Sequence, residues 1–218
     1  MKKTALYEMH LQLNAKLVPF SGYEMPISYD KISNEYNAVR QKCGMFDVSH
    51  MGQIKITGDD ASAFVQELTI NNIEKLSNYE AQYSAMCNNE GGLLDDLIVL
   101  KFSSLCYILI VNASNKYKIL DWMQLYQPKY STHIIDMNKE YSLIALQGPQ
   151  SRNILNQISS QKIDIPFYHL INIKLLNYDV ILSRTGYTGE LGFEILAQHN
   201  IVERCYQKKN SEKRPMPW

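Results

Sequence analysis

Between residues 64 and 137 the apolar positions switch from a helical period to a strand period and back, and the order of the switches predicts a fold. Ala61, Phe64, Val65 and Leu68 fall on one face of a short helix that Asp59 or Asp60 starts. AQYSAMC and LLDDLIVLKF follow as strands on either side of NNEGG, whose glycines predict a hairpin turn. CYILIVNA is a further strand, a helix runs from about Ser114 to Leu125 and ends near Pro128, and THIIDM returns as a strand. Helix, two hairpin strands, strand, helix, strand suits an α+β sandwich of the split βαβ kind.

Upstream, Thr4 is placed to cap a first helix whose apolar stripe is Leu6, Met9, His10 and Leu13. His10 belongs to that stripe and reads as a packed histidine, not a ligand. AKLVPFSGYEMPISY is extended, punctuated by Pro19, Gly22 and Pro26. Ser33 caps a second helix through Tyr36, Val39 and Arg40, which Gly44 stops after Cys43, and MFDVSHMGQIKITG reads as strand, break, strand. Downstream, YSLIALQGP opens a second β-rich stretch, a helix falls near residues 150 to 158, and KLLNYDVILSRTGYTGELGFEIL reads as two hairpins. AQHNIVERCYQKKNSEKRPMPW ends the chain without an apolar period, as a polar, basic, solvated tail.

Charge and composition narrow the function classes. Lys+Arg and Asp+Glu both total 22 in 218 residues, so no global charge draws nucleic acid or an anionic membrane. No apolar run approaches the ~20 residues that span a bilayer. MKKTALYEMHLQLN has lysines but no apolar core of a signal peptide, so the expected location is cytoplasmic. The four cysteines show no C-x-x-C spacing and the five histidines no H-x-x-x-H pair, which predicts free thiols and no metal.

Chemistry enters with Asp95 and Asp96, adjacent acids inside an oily strand. Successive side chains point to opposite faces, so Leu93, Asp95, Leu97 and Val99 share one face and Leu94, Asp96, Ile98 and Leu100 the other. Both faces are apolar around the acid, which predicts a strand covered on both sides and two costly carboxylates. Pointing apart, they cannot flank one scissile bond as a glycosidase pair does. One catalytic and one structural acid is the expected division. RTGYTGELGFE carries Gly186, Gly189 and Gly192 but leads into a strand, so it is no phosphate cradle. It is a tight turn presenting Tyr187 and Glu194. His50 in DVSHMG lacks a nucleophile motif nearby and reads as structural.

SGYEMPISY, RQKCGMFDVSHMG, YSAMCNNEGGLLDDLIVLK, IALQGPQS and SRTGYTGELGFEI occur in that order. Together they closely resemble the aminomethyltransferase (T protein) of the glycine cleavage system, from about Thr4 to Ile195. The resemblance implies the folate-binding T-protein fold. It has a Greek-key-like β-rich folate-binding domain from residues 1–50 and 140–197, and a ferredoxin-like α+β domain over residues 51–139. It also implies the activity: transfer of an aminomethyl-derived one-carbon unit to tetrahydrofolate from the dihydrolipoyl arm of the partner H protein. Ammonia is released and 5,10-methylenetetrahydrofolate forms. Tetrahydrofolate is the co-substrate and the lipoyl group comes from the partner.

By the same resemblance the folate lies in a central hole between domains. Asp96 sits beside the pterin as the catalytic acid, with Asp95 structural. Tyr83, Tyr187 and Glu194 contact folate, and Met51 and Asn112 line the same cavity; a carboxylate such as Glu194 accepts the donor edge of a pterin well. Two departures stand out. The arginine-containing stretch and the C-terminal β-barrel domain of the family are missing, and residues 198–218 fit it poorly. The expectation is a chain ended by frameshift or truncation, with a weakly folate-binding or inactive fragment as the alternative.

Overall fold

The computed structural model describes residues 1–204. Along the chain run α1 (Tyr7–Gln12), β1 (Lys16–Phe20), β2 (Tyr23–Ser28), α2 (Ile32–Gln41), β3 (Gly44–Asp47) and β4 (Gly52–Thr57). Next come α3 (Ala61–Leu68), β5 (Glu80–Cys87), β6 (Leu93–Ser103), β7 (Cys106–Val111), α4 (Lys116–Tyr126) and β8 (His133–Asp136). β9 (Tyr141–Gln147), α5 (Ser151–Ile158), β10 (Leu170–Leu175), β11 (Tyr178–Ser183) and β12 (Gly192–Gln198) complete the set. Two compact units result. Among the described residues, one comprises Met1–His50, Glu140–Phe167 and residues 171–204; the other comprises Met51–Lys139 and Tyr168–Leu170.

The second unit is a five-stranded sheet in the order β5-β6-β7-β4-β8, with every neighbouring pair antiparallel. Strands β6, β7, β4 and β8 with α3 and α4 give the expected ferredoxin-like arrangement, and β5 is added at the edge. Alternation decides which face is covered. Leu97 and Val99 of β6, Leu109 and Val111 of β7 and Ile54 and Ile56 of β4 point one way. There they pack with Phe64, Val65 and Leu68 of α3 and Ile119 and Met123 of α4. One irregularity interrupts the β5–β6 ladder: Met86 pairs with Asp95, but Cys87 pairs with Leu93, so Leu94 is a bulge residue.

The first unit has a five-stranded sheet in the order β10-β11-β12-β9-β3 and a separate β1–β2 hairpin. Helix α5 buries Ile154 and Leu155 against Leu146, Leu175, Leu182 and Phe193. Helix α1 is short, and a buried polar network fastens it. The Asp47 carboxylate accepts Thr4 Oγ1 at 2.6 Å, His10 Nε2 at 2.9 Å and the Ser49 amide at 3.0 Å. With Nε2 donating to Asp47, His10 presents Nδ1 at 2.8 Å from the Tyr29 phenol. Burial alone would raise the Asp47 carboxyl, but the hydrogen bonds from His10, Ser49 and Thr4 outweigh it and hold it below its ordinary value.

Two of the predicted caps are replaced by tertiary contacts. Thr4 does not cap α1, because its hydroxyl is used by Asp47. Ser33 lies inside α2, whose N-terminal side is organised by Glu35 accepting the amides of Tyr29 and Asp30. The solvated tail expected from residue 198 is also corrected for its described part. Residues 199–204 are helical, and Ile201 and Val202 pack against the first unit's core. Residues 205–218 lie outside the described residues. Cys43, Cys87 and Cys106 are free thiols, and burial pushes that of Cys43 up to about 11.

Candidate functional site

Asp95 and Asp96 separate as strand alternation requires, but their surroundings differ more than the apolar pattern suggests. Asp95 is buried, on the helix-covered face. Its carboxylate accepts the Asn112 amide N–H at 2.9 Å, Asn112 Nδ2 at 2.9 Å and Asn115 Nδ2 at 2.6 Å. Three donors meet the cost of burying it. Asp96 is exposed, and the expectation of a strand covered on both sides at this point is corrected. On that face Ile98 is only half-buried, whereas Leu94, displaced by the bulge, packs against the helix-side core.

Asp96 is nevertheless held. Tyr83 donates its phenol to Oδ2 at 2.9 Å and Asn112 Nδ2 donates to Oδ1 at 2.9 Å. The Asp96 carboxylate pushes the Tyr83 phenol above its ordinary value, and Tyr168 adds to the effect. Register explains the grouping. Ala85 stands opposite Asp96, and one step beyond the pairs Leu97–Val111 and Gly52–Val111 come Asn112 and Met51. Ala85, Asp96, Asn112 and Met51 thus fall in one rung, with Tyr83 diagonal to Asp96 on the same face. Asn138 clamps the end of the rung: its Nδ2 donates to the Met51 carbonyl at 2.7 Å and its Oδ1 accepts the Gln53 amide at 2.9 Å.

The other two predicted contacts belong to the first unit. Glu194 of β12 is half-buried and accepts the Thr185 hydroxyl, which lies 2.9 Å from that of Ser183. Burial raises the Glu194 carboxyl and the Thr185 bond only partly opposes this. Thr185 occupies one oxygen and leaves the other to accept an N–H. Tyr187, in the loop before β12, is 93% exposed. His50 packs edge-on to Phe20, with ring centroids 5.4 Å apart, and its buried Nδ1 has no hydrogen-bond partner. Burial lowers its imidazole.

Sequence reasoning missed Asn115 and Asn138, the first of which a helix-start pattern after CYILIV could have signalled. It also missed Tyr168, whose carbonyl accepts the Ala81 amide at 2.7 Å and whose φ is 57°. No periodicity marks that residue.

A family model described as the GCVT N-terminal domain matches residues 6–213. The chain belongs to this family. Among curated proteins, this GCVT-domain chain is 43% identical over 207 residues to an aminomethyltransferase of Chloroherpeton thalassium, covering 94% of the chain and 57% of that protein. To an aminomethyltransferase of Staphylococcus haemolyticus it is 44% identical over 203 residues, covering 91% and 55%. Its fold matches the crystal structure of the glycine cleavage system aminomethyltransferase T from Bartonella henselae. The TM-score is 0.88 at 29% identity, over 95% of this chain and 56% of that one. A heterotetrameric sarcosine oxidase from Corynebacterium shares the fold alone, with a TM-score of 0.56 at 15% identity over 78% of this chain and 85% of that one. The GCVT-domain chain therefore spans just over half the length of the aminomethyltransferases it matches.

Proposed function

We propose that the chain carries the folate half of an aminomethyl transfer. It accepts a one-carbon unit from the dihydrolipoyl arm of an H protein, passes it to tetrahydrofolate, and releases ammonia. One observation carries the reading most: in a chain of this family, an exposed acid on a sheet strand is aimed by a tyrosine and an asparagine. Asp96 receives one donor on each oxygen and keeps lone pairs to accept a pterin N–H. Accepting that N–H orients the nitrogen's lone pair toward the incoming carbon. The negative charge stabilises the cationic character that develops as ammonia leaves. Asn112 serves as the hinge of the arrangement, its one amide nitrogen reaching both Asp95 and Asp96.

Tyr83 and Met51 flank Asp96 as folate contacts in this reading. Glu194 accepts from the amino edge of the pterin, and Tyr187 offers an aromatic face. Among the described residues no helix is long and apolar enough to cross a membrane.

Titration of tetrahydrofolate into the purified chain tests the proposal, followed by assay with aminomethyl-loaded H protein. Saturable binding is expected, with 5,10-methylenetetrahydrofolate and ammonia formed in equal amounts. An absence of binding removes the reading. Binding without transfer reduces it to a folate-binding module.

A further inference from the structure

The loop between β11 and β12, residues 184–191, is pinned around its most exposed residue. Arg40 of α2 donates Nη1 to the Thr188 carbonyl and to Glu190 Oε1, both at 3.0 Å. The Thr188 hydroxyl donates to Gln147 Oε1 at 2.9 Å. The Leu191 carbonyl accepts the Gly148 amide at 2.7 Å and the Ser151 hydroxyl at 3.1 Å. Gln147 is itself buried and donates Nε2 to the Phe193 carbonyl at 3.3 Å. Its side chain fills the space where a Cβ at Gly192 would stand, 2.0 Å from Oε1, and at Gly186, 2.6 Å from the same atom. The loop backbone is thus drawn onto Gln147, and that approach requires glycine at both positions. Residues 188, 190 and 191 are tied down, residue 186 is pressed on Gln147, and Tyr187 between them projects into solvent.

We propose that Arg40 is a positioning residue for Tyr187, with Gln147 as the base on which the loop sits. This rests on the reading that Tyr187 contacts folate. The Arg40 and Glu190 side chains are 41% and 27% exposed, and an ion pair that exposed contributes little to stability. Preorganisation is the return on such an anchor. A loop already fixed in its binding shape loses less conformational freedom when ligand arrives. The Arg40 guanidinium suits the task, because one planar group serves a carbonyl and a carboxylate together.

The test is a double-mutant cycle read by tetrahydrofolate affinity, with thermal midpoints and amide exchange of residues 186–190 measured alongside. Arg40→Gln is expected to weaken binding about tenfold and to speed loop exchange, with the thermal midpoint barely moved. Arg40→Lys keeps a cation for Glu190 and recovers part of the loss. In a Tyr187→Ala background, Arg40→Gln should cost nothing further, because its effect runs through Tyr187. Equal losses in both backgrounds overturn the inference, as does an unchanged affinity in Arg40→Gln where Tyr187→Ala weakens binding. Unchanged affinity in Tyr187→Ala itself overturns instead the folate role assigned to that tyrosine.

Discussion

Replacing Asp47 by alanine is expected to destabilise the first unit by several kcal/mol, about 1–3 kcal/mol for each buried donor that loses its acceptor. The side chains of Asp47 and His10 are 1% and 4% exposed, so solvent screens little of this. Alanine leaves the Thr4 hydroxyl, the Ser49 amide and His10 Nε2 without their shared acceptor, each buried donor adding its own desolvation cost. Asp47→Asn separates charge from hydrogen bonding. The folded Asp47 carboxyl lies below its ordinary value of 3.8, so its contribution is complete above that value and disappears as pH falls through the folded one. The wild-type chain should therefore lose stability below about pH 4 more steeply than Asp47→Asn. Denaturant unfolding at several pH values reads both effects, and parallel pH profiles would remove the charged role of Asp47.

The two adjacent acids are expected to fail in opposite ways. Asp96→Asn should leave unfolding free energy nearly unchanged, since its carboxylate is exposed. Its effect on transfer should be a loss of about 10²- to 10⁴-fold, the range for removing a positioned acid–base group. Asp95→Asn should destabilise instead. An amide cannot accept on both sides from Asn112 and Asn115, and each buried donor left over costs about 1–3 kcal/mol. Some activity should also be lost, because Asn112 then holds Asp96 less well. Paired measurements of denaturant midpoint and transfer rate check the assignment. A stability loss confined to Asp96→Asn, with transfer intact, would exchange the roles of the two acids.

Strand alternation alone was enough to put Asp95 and Asp96 on opposite faces, because the side-chain period of a strand is fixed by its pleat. It could not say at which acid a face is left open. That depends on where α3 and α4 pack, a matter of contacts between Val99, Leu109, Phe64 and Ile119, which are distant in sequence. The apolar residues beside both acids therefore predict two covered faces, and the second is covered at Leu100, Ile108 and Ile110 but not at Asp96. Caps mislead for a related reason. Thr4 has the right residue type for a cap, but Asp47, 43 positions away, competes for its hydroxyl and wins. Asn112 is accessible through family resemblance and Asn115 through its place at a helix start, whereas Asn138 and Tyr168 owe their places to register and to chain crossings that no local pattern carries.

The bulge at Leu94 bears on how this hairpin can change over generations. It absorbs one surplus residue between the NNEGG turn and the acids. A lineage that lost Leu94 could close the ladder as Cys87 beside the residue before Asp95, with Met86 still opposite Asp95 and Ala85 still opposite Asp96. Turn length can then drift by one residue without exchanging the inward and outward acids.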